Sequence, residues 1–185
     1  MKKFLTLAFA AIAAMTNAQY RMNNYNGNEG QNDVKINMLS LFFYGTEFGY
    51  ERILNPNVGI GGSVMIPYGD NTRLVIKSNL NYYVSPYIRY YFNGFGPASG
   101  FFVEGFGLLS DGKYTPRDEN GISTDTKKDY SAFGAGFGIG EKWTSRSGIF
   151  LEATAGFGRN FSIPEDAATS LILIGKVGVS VGYRF

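Results

Sequence analysis

The amino-acid sequence predicts an all-β protein, an eight-stranded antiparallel up-and-down transmembrane β-barrel. From position 34 onward, short runs alternate with a period of two, which is typical of strands with two different faces. One face carries Leu, Val, Ile and Phe, and the other carries glycine, serine and charged residues. A soluble barrel would pack its apolar face inside, and small side chains beside charges make a poor soluble core. The polar face is therefore expected to be the enclosed one.

The composition is the second observation that favours a membrane barrel. The chain has 25 glycines, 13 tyrosines and 16 phenylalanines in 185 residues, and glycine normally makes up only about 7% of a protein. Glycine lets a strand coil tightly and leaves room in a narrow lumen. Aromatic rings are enriched at the two membrane surfaces.

The chain begins with the features of a secretory signal peptide, which we assign to residues 1–18. Lys2 and Lys3 precede an apolar stretch at 4–15, and a small-residue cleavage site ends at Ala18. The stretch is too short to span a membrane as a helix, and no later segment is long and apolar enough. Residues 19–33 are rich in asparagine and lack a period, so they predict a flexible periplasmic segment. The barrel domain is assigned to 34–185.

Eight runs have strand character, and an even number suits barrel closure. The predicted strands are 34–44, 46–54, 57–67, 79–92, 101–109, 132–140, 149–158 and 171–185. Short turns at 55–57, 93–100 and 144–147 alternate with mostly longer loops at 68–78, 110–129 and 160–169. In membrane barrels of this kind the short turns face the periplasm and the long loops face outside. Both ends of the barrel domain are therefore expected at the periplasmic side.

The residues that the chain lacks exclude several functions. It has no cysteine and no histidine, which removes disulfides, thiolate metal sites, the commonest general base and the commonest zinc ligand. Without Lys2 and Lys3 the basic residues number 17 − 2 = 15, equal to the 15 acidic ones, so no nucleic-acid partner is indicated. We expect no cofactor, no metal site and no catalytic residue.

The inward faces of the predicted strands collect eight ionisable side chains, most of them toward the periplasmic end. These are Lys35, Glu51, Arg89, Glu104, Lys142, Glu152, Lys176 and Arg184. Neighbouring strands bring opposite charges together, so we expect Arg89 beside Glu104, Lys35 beside Glu51, and Glu152 between the strands of Lys142 and Lys176. This predicts a lumen salt-bridge layer. Two interpretations remain open: a plug in a lumen that is narrow enough to be filled by side chains, or a gated polar path for small solutes or protons.

Three other features have weaker functional content. The loop 110–129 is the longest and most charged, and it is the expected contact surface for an external ligand. Its run Asp118-Glu119-Asn120-Gly121 does not meet the oxygen spacing of a calcium loop. The glycine string at 134–140 lies within a strand and is followed by no helix, so barrel packing explains it better than nucleotide binding.

The sequence resembles a known family, the small eight-stranded outer-membrane β-barrels of Gram-negative bacteria (OmpA/OmpX-like), which includes barrel domains with no assigned activity. The resemblance covers 34–185 and rests on the runs at 49–52, 85–92 and 100–106 and on the terminal run at 181–185. It implies a position in the outer membrane, surrounded by lipid. The alternation of Val181, Tyr183 and the terminal Phe185 resembles the signal read by the barrel insertion machinery, which would then be a transient partner.

The leading functional hypothesis is a non-enzymatic outer-membrane protein with a structural or surface-interaction role. A small-solute channel is the alternative. An outer-membrane lipid-modifying enzyme is more distant, because enzymes of similar architecture generally rely on histidine. The sequence does not predict an oligomeric state.

Overall fold

The computed structural model describes residues 30–43, 45–68, 80–92, 96–114, 128–162 and 172–185. These residues form eight strands and one short helix. The strands are β1 (Asn32–Asn37), β2 (Gly45–Asn55), β3 (Val58–Pro67), β4 (Leu80–Tyr91), β5 (Gly100–Tyr114), β6 (Lys128–Thr144), β7 (Ile149–Asn160) and β8 (Leu173–Arg184), and the helix is α1 (Met38–Phe43). Each strand pairs with the next, and β8 pairs with β1 in an antiparallel ladder. The predicted fold class, a closed eight-stranded up-and-down barrel, is confirmed.

The first strand begins and the last strand ends at the same end of the barrel. Asn32 and Phe185 exchange backbone hydrogen bonds of 3.0 and 2.9 Å, and Asp33 lies opposite Arg184 in the β1–β8 register. The turns between β2 and β3, β4 and β5, and β6 and β7 lie at this same end. We call it the lower end. The central parts of the three longer loops, 69–79, 115–127 and 163–171, fall outside the described residues.

The first predicted strand, 34–44, is wrong in its second half. β1 ends at Asn37, and the next six residues form α1. The side chain of Asn37 caps this helix, since its Oδ1 accepts hydrogen bonds from the backbone N–H of Leu39 at 3.0 Å and of Ser40 at 3.3 Å. Methionine and leucine favour a helix once it is capped. The apolar run therefore continues as a helical turn that packs against β8 and β2.

Other strand limits also differ from the prediction. β1 begins at Asn32, so Asp33 belongs to the barrel although the sequence placed it in the flexible segment. β5 ends at Tyr114 and β6 begins at Lys128, so both ends of the predicted loop 110–129 belong to strands. The predicted signal peptide, residues 1–18, and residues 19–29 lie outside the described residues, and the division into segments stays a prediction. No helix within the described residues is long and apolar enough to cross a membrane.

The two faces of the wall differ as the alternation predicts. On β8, Val177, Val179 and Val181 point outward and are exposed, whereas Ser180 and Arg184 point inward and are buried. The same division holds around the barrel. Its largest fully buried side chains include two cations and three carboxylates, and its exposed side chains include many large apolar ones. This is the reverse of the distribution in a soluble protein.

Candidate functional site

The lumen holds ten charged side chains contributed by all strands except β3. They are five carboxylates, Asp33, Glu47, Glu51, Glu104 and Glu152, and five cations, Lys35, Arg89, Lys142, Lys176 and Arg184. Among the described residues, the lumen therefore holds equal numbers of positively and negatively charged side chains. All eight positions named from the sequence lie inside, and the structure adds Asp33 and Glu47.

Arg89 is the centre of this layer. Its Nε donates to Glu104 Oε2 at 2.7 Å, its Nη1 donates to Glu51 Oε2 at 3.0 Å, and two further bonds of 2.6 and 3.1 Å reach Glu152. The guanidinium also lies 4.3 Å from the ring centres of Tyr87 and Phe102. A planar group with five donors suits this position, because it can serve three carboxylates in different directions.

Lys142 occupies the lower part of the same layer. Its Nζ lies 3.0 Å from Asp33, 2.9 Å from Glu51 and 3.5 Å from Glu152. Glu51 also accepts a hydrogen bond of 2.6 Å from the hydroxyl of Tyr91. These groups are fully buried, and a buried charge needs such partners to offset the loss of hydration.

The upper part of the layer is bounded by two lysines. Lys35 donates to Glu152 at 2.6 Å, and Lys176 donates to Glu104. Among the described cations of the layer, Lys176 is the most exposed, with 16% of its side chain accessible. Among the described residues, the cations at the upper side of the layer, Lys35 and Lys176, are therefore more accessible than Lys142 below them.

The observed partners differ in part from those expected on neighbouring strands. Arg89 contacts Glu104 as expected. Lys35 contacts Glu152 instead of Glu51, and Lys176 contacts Glu104 instead of Glu152. Lys142 contacts Glu152 on the neighbouring strand at 3.5 Å, as expected. The lumen is narrow, so long side chains also reach strands on the far side, and adjacency in the wall decides only some of the pairs.

Glycines on the inner wall make room for these large groups. A Cβ added at Gly59 would collide with the carboxylate of Glu51, and one at Gly140 would collide with the ring of Phe102. At Gly136 it would lie 2.6 Å from Phe106 Cζ. The glycine string of β6 is therefore a packing surface for the side chains of β5. This explains why a strand with an almost bare inner face borders a crowded lumen.

The lower mouth of the barrel is covered by the turn between β4 and β5. Ala98 and Ser99 of this turn are buried. The backbone N–H of Ala98 donates to the carbonyl of Pro56 at 2.7 Å, and the hydroxyl of Ser99 donates to the carbonyl of Lys142 at 3.0 Å. We call residues 96–99 the floor turn.

Arg184 joins the floor turn to the β1–β8 ladder that closes the barrel, which we call the seam. Its Nε and Nη2 donate to the two oxygens of Asp33 at 2.7 and 2.9 Å. Its Nη1 donates to the carbonyl of Pro97 at 2.6 Å, and Nη2 also donates to the carbonyl of Ala98 at 3.0 Å. One side chain thus connects β8, β1 and the floor turn.

A small cavity borders the upper side of the layer among the described residues. A cavity of about 20 Å³ lies among Lys35, Glu47, Ser63 and Lys176, which is room for about one water molecule. Glu47 accepts a hydrogen bond of 2.7 Å from the amide of Asn37. A larger depression of about 800 Å³ involves outward side chains, including Ile88, Phe137 and Phe157, and is a feature of the outer wall.

The sequence prediction missed Asp33 and Glu47, although each could have been found from the strand alternation. The asparagine-rich sequence before Val34 concealed Asp33, although continuing the alternation of β1 back by one residue would have placed it inside. Glu47 lies on the inward face of β2, and its spacing of four from Glu51 gives both carboxylates the same orientation in a strand. The floor turn gives no signal in the sequence beyond that of an ordinary turn.

The C-terminal residues Val181, Tyr183 and Phe185 all lie on the outer surface and are exposed. Their recognition by insertion machinery stays a prediction. Within the described residues, no group of three or more acidic side chains has a geometry that would hold a metal ion.

A solved structure with the same fold is the N-terminal β-barrel domain of OprF from Pseudomonas aeruginosa. The TM-score is 0.54 and the sequence identity is 14%, and the similarity covers 85% of this chain and 100% of that one. The predicted resemblance to an eight-stranded barrel is thereby confirmed at the level of the fold. No protein-family model matches the chain, and no curated protein matches it.

Proposed function

We propose that this chain is an integral outer-membrane protein with a closed lumen and a structural or surface-interaction role, without catalysis. The observation that carries the proposal is the inverted distribution of side chains, with apolar residues outside and paired charges inside. Apolar side chains on the outer wall are favourable in contact with the hydrocarbon of a bilayer. Closure of the barrel also pairs the edge strands, so no unpaired backbone edge faces lipid.

Aromatic side chains support a membrane position for the outer wall. Exposed rings lie toward the lower end, at Tyr90, Phe92, Phe101 and Tyr183, and toward the upper end, at Tyr68, Tyr82, Phe133 and Phe161. Aromatic girdles at the two interfaces flank the apolar band of outer-membrane barrels. Beyond Leu109 and Phe133 the outward faces of β5 and β6 become polar, which supports an upper limit of the hydrocarbon at this level.

The layer and the floor turn favour a closed lumen over a solute channel. Arg89 connects β4 with β2, β5 and β7, so it occupies the middle of the cross-section. A conducting path needs polar groups that an entering solute can exchange for its water. Here the groups satisfy one another, and the floor turn covers the lower mouth.

The same pairing argues against an enzyme. Glycoside chemistry needs two carboxyl groups that face a cleft open to substrate. Glu51, Glu104 and Glu152 are buried and bonded to Arg89 or Lys142. A lipid-modifying enzyme remains the more distant alternative.

Export, insertion and contact with partners complete the proposal. Residues 1–18 direct export, and the last strand is recognised by the insertion machinery. Among the described strands, β5 and β6 are the longest and extend toward the upper end of the barrel. The predicted loop 110–129, whose ends belong to these strands, is the proposed contact surface for an external ligand.

The test is reconstitution of residues 19–185 in planar lipid bilayers. A closed lumen predicts stable insertion without conductance steps, with insertion verified by protection of the strands from protease. Steady conductance from the folded protein would favour the channel. Loss of cell adhesion on replacing residues 115–127 with a short glycine-serine linker would support surface interaction, and turnover of outer-membrane lipid by the purified protein would establish an enzyme instead.

A further inference from the structure

We infer that Arg184 is a latch that keeps the floor turn in the lower mouth of the barrel, so that closure of the lumen depends on closure of the β1–β8 seam. This goes beyond the proposed function, because the position of the floor turn would then depend on the pairing of β1 with β8. It rests on the bonds of one buried side chain.

Arg184 has all its bonds at the place where the seam and the floor turn meet. Two bonds of 2.7 and 2.9 Å reach Asp33 on β1, and two of 2.6 and 3.0 Å reach the carbonyls of Pro97 and Ala98. Asp33 also binds Lys142 at 3.0 Å. The guanidinium is therefore oriented for the floor turn only when β1 lies beside β8.

The floor turn is held against a backbone preference. Ala98 has a φ of 43°, and it is the single non-glycine residue with positive φ among the described residues. This conformation is unfavourable for alanine and persists when the surroundings enforce it. The surroundings are the bond from Ala98 to Pro56, the bond from Ser99 to Lys142, and Arg184.

Release of the latch has a defined consequence. Without Arg184, the carbonyls of Pro97 and Ala98 lose their charged donor, and alanine gains by leaving the positive-φ region. The floor turn then moves toward the solvent. The lower side of the layer, at Lys142 and Asp33, becomes accessible to water while the other strands remain paired.

The test uses the absence of native cysteine from the chain. A single cysteine replaces Ser99, whose side chain is buried, and its reaction with a water-soluble maleimide is followed in the folded protein. The thiol is a weaker donor to the Lys142 carbonyl than the Ser99 hydroxyl is, so rates are compared only among variants that all carry this cysteine. Arg184→Gln is expected to raise the labelling rate at least about tenfold, as expected for loss of a hydrogen bond to a charged donor. Ala98→Gly, which removes the backbone strain, is expected to lower that rate.

Two control positions separate a latch from general loosening. Ser147→Cys lies in an exposed turn and should react at the same rate with and without Arg184. Ser63→Cys is buried in β3, remote from the floor turn, and should stay unreactive. If Arg184→Gln does not fold, Arg184→Lys decides, because lysine keeps the charge but cannot serve Asp33 and both carbonyls together. An unchanged rate at position 99 in the folded variant, or an equal rise at position 63, would overturn the inference.

Discussion

Arg89 and Glu152 form a two-point ion pair across the lumen, with donor–acceptor distances of 2.6 and 3.1 Å. Their strands, β4 and β7, are separated in the wall by β5 and β6. The pair therefore spans the interior of the barrel instead of joining neighbours along its surface. This arrangement supports the proposed closed lumen, because Glu51 and Glu104 complete the contacts of Arg89 from two further strands.

The first prediction concerns the charge balance of the layer. Arg89→Ala leaves three buried carboxylates with one cation fewer and should lower the free energy of unfolding by about 3–5 kcal/mol. The double variant Arg89→Ala/Glu104→Ala should recover part of this loss, since Lys176, the other partner of Glu104, is the cation best able to reach water. Urea unfolding in lipid vesicles measures both, with the exposed outward Arg52→Ala as control. Equal destabilisation by the single and the double variant would contradict the charge-balance account.

The second prediction compares an inner with an outer glycine. A Cβ at Gly136 would lie 2.6 Å from Phe106 Cζ and 2.7 Å from Gly158 Cα, whereas one at Gly175 meets nothing within 4 Å. Gly136→Ala should therefore cost about 1–3 kcal/mol of stability through overpacking. Gly175→Ala should be neutral or stabilise by up to about 1 kcal/mol. Unfolding curves of the two variants test this difference, and a similar cost at both positions would contradict the packing account.

Asn37 is the subject of the third prediction. It caps α1 and also donates to Glu47, so Asn37→Ala should destabilise the protein by at least about 1 kcal/mol. Asn37→Ser keeps a capping oxygen and should cost less. Limited proteolysis after residue 38 measures the stability of α1 directly. Equal cleavage of the alanine and serine variants would show that the cap does not hold the helix.

The sequence predicted the wall of the barrel better than the contents of its lumen. Strand faces follow from local alternation, so the inward positions of Glu51, Arg89 and Glu152 could be read directly. The partner of Lys35 could not, because it depends on which long side chains meet across a narrow space after the barrel has closed.

Two local features were hidden for a different reason. The run from Met38 to Phe43 is too short to show a helical period, and only the cap at Asn37 marks the change from strand to helix. The floor turn is bonded to Arg184, which is 86 residues from Ala98 along the chain. Such a contact has no local signal in the sequence.

The most direct test of the central claim, a closed barrel built into the outer membrane, is the gel migration of the protein from purified outer membranes, with unheated and boiled samples compared. The account predicts a folded, detergent-resistant species in the unheated sample that shifts on boiling, and its recovery with the outer-membrane fraction. A soluble periplasmic protein whose migration does not change on boiling would contradict it.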